Sequence, residues 1–205
     1  MSEPHYWAEA VEYLRSSDPM LSEIIQKNLH PFLSPNGNVG NTLIKSIVGQ
    51  QISVKAADSV WRRMEELLGK VVPDNVVLCD VKDLRGCGLS MRKSEYICEM
   101  SKLWVDYHGI LDWSSMDGSE VRRRLLKLRG VGPWTVDMVM IFALGHPDIL
   151  PLGDIGLIRA VEKVYADGSK LDISDIERIS SGWAPYRTVA TWYLWRVVDP
   201  EPVNY

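Results

Sequence analysis

Cysteine is scarce in this chain. Only three occur among 205 residues, Cys79, Cys87 and Cys98, an odd number without the spacing of metal ligands. This usage argues against the disulfide framework of a secreted protein. It indicates reduced thiols in an intracellular one.

Long apolar runs are also lacking. No apolar stretch approaches 18 residues and no signal peptide opens the chain, so we expect a soluble protein without a membrane partner. The hydrophobic content of 46% is enough for a sizeable core, organised as one domain or as two small packed lobes.

An excess of positive charge is missing as well. The net charge is −4 and the isoelectric point is about 5.6, which argues against a protein that coats polyanions through bulk charge. A nucleic-acid function would therefore need local basic patches and backbone amides. One run of charge, either such a patch or a solvated helix face, precedes a glycine-rich turn: Arg122, Arg123, Arg124, Lys127 and Arg129.

No alternating run is long enough for a strand, whereas apolar residues recur every three or four positions. The pattern predicts an all-α fold of about ten helices. We expect helices over or near His5–Arg15, Pro19–Leu29, Asn38–Gly49, Ser53–Gly69, Ser90–Gly109, the residues after Asp117, Pro133–Gly145, the residues after Asp154, and Pro185–Val198. In the Ser53 helix the predicted inward face comprises Val54, Ala57, Trp61, Met64 and Leu68.

The most informative segment runs from Leu128 to Thr135, with the sequence LRGVGPWT. Gly130 can end one helix, and Pro133 suits the first position of the next, where its missing N–H costs nothing. Such a turn directs backbone N–H groups outward at a helix N-terminus, which suits an anion. The segment predicts a helix–hairpin–helix over about residues 125–144 that holds a phosphate without a cationic side chain. For Gly-x-Gly alone, an ordinary helix–turn–helix corner is the alternative.

A carboxylate follows this hairpin. Asp154 lies 22 residues after Gly132, within LPLGDIG, at or just before another helix. Taken by itself it could be a plain N-cap aspartate. Hairpin and carboxylate together favour DNA chemistry.

Four blocks in order resemble the helix–hairpin–helix–GPD superfamily of DNA base-excision glycosylases, most closely its DNA-3-methyladenine glycosylase II branch. They cover about residues 40 to 197: SIVGQQISVKAA at 46–57, GLSMRK at 88–93, the hairpin with Trp134 and Thr135, and Asp154-Ile155-Gly156 followed by WAPYRT at 183–188. The resemblance implies one glycosylase domain over residues 1–205, a two-lobed helical bundle with a cleft between the lobes. Three scattered cysteines cannot supply the four ligands of the [4Fe–4S] cluster found in another branch.

The resemblance makes Asp154 the catalytic residue. Breaking an N-glycosidic bond builds oxocarbenium-like charge on the deoxyribose, which a fixed carboxylate stabilises while it orients or deprotonates a water. Trp134 occupies the place where lyase-competent relatives carry a Schiff-base lysine. Because an indole has no amine, the chain should be monofunctional.

Three residues are predicted to form the base pocket: Trp134, Met138 and Trp195. Electron-rich aromatic faces attract alkylated purines, which carry positive charge. Met138 stands where some relatives place a tyrosine, so it bears on the substrate range. For Trp195, ordinary core packing is the alternative.

DNA contacts are implied at Gln51 and at the hairpin residues Gly130, Gly132 and Thr135. Gln51 matches the residue that fills the gap left by a flipped base, although Gln50-Gln51 could also be merely solvated. The hairpin carbonyls of Leu126, Leu128 and Val131 match those that hold a monovalent cation, Na+ or K+, against a DNA phosphate. No other cofactor is expected.

The expected function is therefore excision of alkylated purines such as 3-methyladenine and 7-methylguanine by base flipping. The expected partner is damaged double-stranded DNA, bound by a monomer in a prokaryotic cytoplasm or a eukaryotic nucleus. Two alternatives remain: a glycosylase for hypoxanthine or uracil, and a non-catalytic helix–hairpin–helix DNA-binding protein.

Overall fold

The computed structural model describes residues 3–28 and 31–199, and these contain helices and no strand. The predicted all-α class is confirmed. The α-helices of these two stretches are α1 (Trp7–Ser17), α2 (Pro19–Lys27), α3 (Val39–Gly49), α4 (Val54–Leu68), α5 (Pro73–Val76), α6 (Val81–Gly86), α7 (Met91–Leu103), α8 (Gly118–Leu125), α9 (Pro133–Phe142), α10 (Ile155–Tyr165), α11 (Ile173–Ser180) and α12 (Arg187–Val198). A π-helical turn covers Trp104–His108, and short 3₁₀ turns cover Trp113–Ser115 and Ser181–Trp183. Among the described helices, none has the length and apolar character needed to cross a membrane.

The chain forms two compact units, which agrees with the predicted two-lobed bundle. One, the terminal unit, combines the described residues of 1–35 with those of 140–199. The other, the middle unit, comprises residues 36–139. Helix α9 begins in the middle unit, and its last residues belong to the terminal unit.

The terminal unit is organised around α12, which packs against α10, α2 and α1. Val189, Ala190 and Leu194 of this helix are fully buried, and most of its other residues are buried too. Apolar residues around the whole circumference are typical of a helix enclosed by others. The surrounding helices therefore hold the side chains of α12 in fixed positions.

A single carboxylate ties three parts of the terminal unit together. Oδ1 of Asp18 caps α2 by accepting bonds from the amides of Met20 and Leu21. Oδ2 accepts bonds from the Tyr165 hydroxyl at 2.7 Å and from the Trp183 indole at 3.0 Å. The cap of α2 thereby fastens it to the end of α10 and to the turn before α12.

The middle unit is built on α3, most of whose residues are buried and which packs against α4, α5 and α7. Gly40 permits a close approach, because a Cβ there would lie 2.8 Å from the Trp104 indole. Trp104 in turn stacks on Trp113 with centroids 5.5 Å apart. This packing anchors the π-helical turn that follows α7.

The predicted inward face of α4 is partly wrong. The buried residues are Val60 and Met64, whereas Val54 is 44% exposed. Trp61 is only half-buried: its indole donates to Glu65 at 2.8 Å, and the Lys45 ammonium lies 5.2 Å from its ring centroid. These polar partners keep Trp61 at the edge of the core. The other predicted inward residues, Ala57 and Leu68, are half-buried.

Several predicted boundaries also differ from the structure. Helix α9 ends at Phe142 rather than Gly145, and α12 begins at Arg187 rather than Pro185. Helix α2 is described to Lys27, and Leu29, the predicted end, lies outside the described residues. Helices α5, α6 and α11 were not predicted, because four to eight residues carry too little periodicity to stand out.

Candidate active site and DNA interface

Asp154 lies at the start of α10, as predicted, and caps its N-terminus. Its Oδ1 accepts a hydrogen bond from the Leu157 amide at 2.8 Å and a second from Nε1 of Trp195 at 2.9 Å. The residue is half-buried. Two N–H donors on one oxygen fix the direction of the carboxylate, which is what an electrostatic role in a reaction needs.

Trp195 packs within the terminal unit and also contacts the candidate catalytic carboxylate, while its predicted role in the base pocket stays a prediction. Its ring stacks on Phe142, with centroids 5.7 Å apart and planes within 8°, and its indole edge meets Asp154. It remains half-buried on α12. The indole is thus both packed in the terminal unit and bonded to the candidate catalytic carboxylate.

Gly156 is a site residue whose role the sequence did not show. A Cβ at this position would lie 3.0 Å from Oδ1 of Asp154 and 3.4 Å from Cδ1 of Trp195. The first contact is tight enough that Oδ1 would have to shift by a few tenths of an ångström, whereas the second is an ordinary van der Waals distance. Glycine as the third residue of Asp-Ile-Gly therefore leaves the Asp154 carboxylate undisturbed.

The predicted hairpin is confirmed in the middle unit, where residues 126–132 connect α8 to α9. Gly130 adopts a left-handed φ of +84°, and the Val131 amide donates to the Leu128 carbonyl at 3.1 Å. Pro133 is the first residue of α9. By the geometry of any α-helix, the amides of the first turn have no intrahelical acceptor.

The two hairpin glycines have different surroundings. A Cβ at Gly130 would collide with the ring of Tyr96 on α7, so both conformation and space require glycine there. Gly132 has no atom within 4 Å of the place of a Cβ. The first glycine thus serves packing, and the second leaves the surface of the hairpin open.

Acidic residues pair with most of the basic run that precedes the hairpin, which the sequence leaves open as a binding patch or a solvated helix face. Arg122 pairs with Asp137 at 2.6 Å. Burial raises the pKa of Asp137, although Arg122 opposes the shift. The remaining pairs join Arg123 and Arg124 to Glu120, and Arg129 to Glu99 and Glu95. Of the patch, only Lys127 has no ion pair with another described residue, so backbone amides become the main candidates for holding a phosphate.

The adjacent glutamines at the end of α3 behave differently. Nε2 of Gln50 donates to the Gly130 carbonyl and to Oγ1 of Thr135, both at 3.0 Å. Gln51 is exposed and adopts a left-handed φ of +58°. One glutamine is therefore bound to the hairpin, while its neighbour projects from the surface. Thr135 is 1% exposed, and its predicted DNA contact stays a prediction.

The other predicted site residues occupy varied positions. Trp134 is half-buried, and Met138 is 2% exposed. Leu126 is exposed, whereas the side chains of Leu128 and Val131 are buried in the hairpin. Their predicted roles in the base pocket and in cation binding stay predictions.

Lys93 was not singled out from the sequence, although it closes the block GLSMRK. Its Nζ donates to the Val48 carbonyl at 2.8 Å and to the Gln50 carbonyl at 2.6 Å. Burial lowers the pKa of this ammonium group. Lys93 thus binds the C-terminal end of α3 directly beside Gln51.

Comparison with known families agrees with this architecture. The profile of the family described as HhH-GPD superfamily base excision DNA repair protein matches residues 44–185. This span includes the second half of α3, the hairpin and Asp154. The chain belongs to the HhH-GPD superfamily of base excision DNA repair proteins.

Individual relatives extend the similarity to nearly the whole chain. A DNA-3-methyladenine glycosidase from Bacillus halodurans, known as a crystal structure, is 33% identical with a TM-score of 0.73, over 93% of this chain and 89% of that one. The alkylbase DNA glycosidase-like protein mag2 of Schizosaccharomyces pombe is 28% identical, over 96% of each chain. The 3-methyladenine DNA glycosylase Mag1 of the same yeast, in complex with abasic DNA, shares the fold with a TM-score of 0.83 at 24% identity, over 92% of this chain and 95% of that one.

Proposed function

We propose that this chain is a monofunctional DNA glycosylase that removes alkylated purines, such as 3-methyladenine and 7-methylguanine, from duplex DNA and leaves an abasic site. The observation that carries the proposal is the carboxylate of Asp154, fixed by Leu157 and Trp195 at the start of α10. The names of the relatives support the substrate class. The enzyme acts as a monomer, in the cytoplasm of a prokaryote or the nucleus of a eukaryote.

Asp154 supplies the chemistry. As the bond between C1′ and the base nitrogen breaks, the bonding electrons leave with the base and positive charge grows on the sugar. A carboxylate held in place stabilises that charge without having to reorganise, and it can orient or deprotonate the water that attacks C1′. The two donors on Oδ1 set the orientation.

Water is the nucleophile because no lysine occupies the hairpin position where a Schiff base would form. Trp134 stands there, and an indole cannot form an imine. The ammonium of Lys93, elsewhere in the middle unit, is already committed to two backbone carbonyls. The product therefore stays an intact strand with one abasic site.

Binding to DNA depends on the main chain more than on cationic side chains. The hairpin presents the first-turn amides of α9 to a backbone phosphate, which involves no base sequence. The carbonyls of Leu126, Leu128 and Val131 are proposed to hold Na+ or K+ there. Although the Leu128 oxygen accepts one bond from Val131, a carbonyl oxygen has a second lone pair, so the donor set fits. No other cofactor is required.

The substrate preference follows from aromatic faces. Trp134 and Trp195 are half-buried indoles, and indole faces attract the positive charge of an alkylated purine ring. Gln51, exposed beside the hairpin, fills the gap in the stack when the damaged base is flipped out.

The test is release of bases from DNA with defined damage. Purified protein is incubated with duplexes that carry 3-methyladenine or 7-methylguanine, and in parallel with duplexes that carry uracil or hypoxanthine. The free base and the abasic site are both measured. We expect release of the methylated purines. Release of uracil or hypoxanthine alone would favour the deaminated-base alternative, and binding without release from any duplex would make the chain a DNA-binding protein only.

A further inference from the structure

Gln51 is held by a set of hydrogen bonds that the proposed reaction does not use. We call Gln50 and Lys93, with the groups they bind, the Gln50–Lys93 clasp. The Lys93 ammonium donates to the carbonyls of Val48 and Gln50, and the Gln50 side chain donates to Gly130 and Thr135. The clasp joins the end of α3, the first turn of α7 and the hairpin within the middle unit.

The backbone of Gln51 needs such support. A φ of +58° is unfavourable for a side chain with a Cβ, and it persists only where the surroundings determine it. The carbonyl of Gln50 and the amide of Gln51 belong to one rigid peptide plane. By binding that carbonyl at 2.6 Å, Lys93 fixes the plane and thereby the direction in which Gln51 projects.

The clasp also sets the distance between Gln51 and the hairpin. Gln50 bridges to the Gly130 carbonyl, inside the turn, and to the Thr135 hydroxyl in the first turn of α9. The distance between a phosphate bound at the hairpin and a side chain inserted from position 51 would therefore be constant. Neither end could shift without breaking at least one of these bonds.

A charged group gives this arrangement more strength than a neutral one would. Hydrogen bonds from an ammonium are stronger than those between neutral groups. Lys93 is half-buried, and burial lowers its pKa, so its placement has an energetic cost that the two carbonyls offset. Water could satisfy the end of α3, but it would not fix the plane of one peptide.

We propose that Lys93 and Gln50 are positioning residues for base flipping, which act through Gln51 and do not touch the reacting atoms. This inference rests on the proposed function, since it concerns how a damaged base is extruded. It predicts a defect that depends on how firmly the target base is paired and stacked.

The test compares Lys93→Met, which keeps the aliphatic stem but has no donor, with Lys93→Arg, which keeps donors. Each protein is given the same methylated purine in a fully paired duplex and in an unpaired bulge. Because a bulged base is already easy to extrude, we expect Lys93→Met to slow single-turnover excision about 10-fold or more in the duplex and about twofold or less in the bulge. Lys93→Arg should restore most of the rate.

A double-variant comparison separates positioning from general damage. If Lys93 acts through Gln51, adding Lys93→Met to Gln51→Ala should cause no further loss in the duplex. Equal losses in duplex and bulge, additive losses with Gln51→Ala, or an unchanged Lys93→Met would each overturn the inference. Should Lys93→Met fail to fold, Gln50→Glu, which replaces the donating amide by an acceptor, serves in the same comparison.

A readout without excision distinguishes this inference from the proposed function. Fluorescence of 2-aminopurine beside the target base rises when the base is flipped, whether or not a bond is broken. Wild-type protein should raise the fluorescence, and Lys93→Met should raise it less at equal saturation with DNA. If the wild type flips the base but releases none, and Lys93→Met flips it less, the proposed function is wrong while the positioning role of the Gln50–Lys93 clasp is supported. If both proteins give the same fluorescence, the positioning role is wrong.

Discussion

Nε1 of Trp195 donates a 2.9 Å hydrogen bond to Oδ1 of Asp154, the same oxygen that caps α10 through the Leu157 amide. The carboxylate is therefore oriented from two helices, by its own α10 and by α12, which packs on it. Glycine at position 156 avoids a tight Cβ contact with Oδ1 of Asp154. Orientation of Asp154 is thus a property of tertiary packing as well as of a local cap.

Replacing Trp195 by Phe tests this relationship. The variant keeps a ring to stack on Phe142 and removes the indole donor. Because a hydrogen bond to a charged group contributes about 1.5–3 kcal/mol, we expect excision to slow about 10-fold or more while the protein stays folded. Single-turnover release of a methylated purine is the measurement, with the melting temperature alongside. Phe142→Leu is the control for lost stacking. An unchanged rate in Trp195→Phe would show that the indole does not orient the carboxylate.

The two hairpin glycines provide a matched pair for testing the phosphate anchor. Gly132→Leu enters open space, so the protein should fold normally, yet its side chain should block the approach of DNA. We expect affinity for undamaged and abasic duplexes to fall alike, by about 10-fold or more, in fluorescence anisotropy at fixed salt. Gly130→Ala should instead lower the melting temperature, because it meets Tyr96 in a left-handed conformation. Full affinity of Gly132→Leu for both duplexes would remove the hairpin from DNA binding.

Covalent trapping tests the choice of nucleophile. With Trp134 in place of a lysine, no imine should form, and borohydride should trap no protein–DNA adduct on a denaturing gel. Abasic sites should break only after alkali or a separate endonuclease. A lyase-competent glycosylase on the same damaged duplex serves as the positive control. Substantial trapping that requires Asp154 would contradict the monofunctional mechanism.

Stability should depend on pH through His108. This imidazole lies against the rings of Trp104 and Trp113, and its buried Nδ1 has no partner among the described residues. Burial, with Arg124, lowers its pKa below 6.5. As the pH falls, the unfolded chain therefore binds a proton at His108 before the folded protein does. The free energy of unfolding decreases as the pH drops through 6.5, and it stops decreasing only below the pKa of His108 in the folded protein.

The corresponding experiment follows the melting temperature between pH 7.5 and 5.5. His108→Phe should lose less stability over this interval than the wild type, since the ring cannot take up a proton. His5→Gln, at an exposed histidine, is the control and should follow the wild type. Parallel curves for His108→Phe and the wild type would show that folding does not change the pKa of His108.

Features that depend on a few adjacent residues could be predicted from the sequence. Gly130 and Pro133 mark the end of one helical segment and the start of the next, and Asp154 has the residue type and position of an N-cap. In each case the local backbone preference and the tertiary structure agree. The hairpin and the carboxylate were found for that reason.

Contacts between distant residues could not be predicted in the same way. Trp195 and Asp154 are 41 residues apart, and nothing in the local pattern of α12 distinguishes an indole that donates to a carboxylate from one that only packs. The pairing of the basic run before the hairpin could not be predicted, because Asp137 and Glu99, which neutralise two of its arginines, come from α9 and α7. Lys93 was overlooked since its acceptors are backbone carbonyls, which no sequence pattern marks.

Single-turnover excision by Asp154→Asn tests the central claim most directly. Asparagine keeps an oxygen that can accept from Leu157 and Trp195, so the cap and the fold should survive while the negative charge is lost. We predict that release of methylated purine from duplex DNA falls about 100-fold or more. Affinity for abasic DNA and the melting temperature should stay close to those of the wild type. Excision at nearly the wild-type rate would contradict the assignment of Asp154 as the catalytic residue.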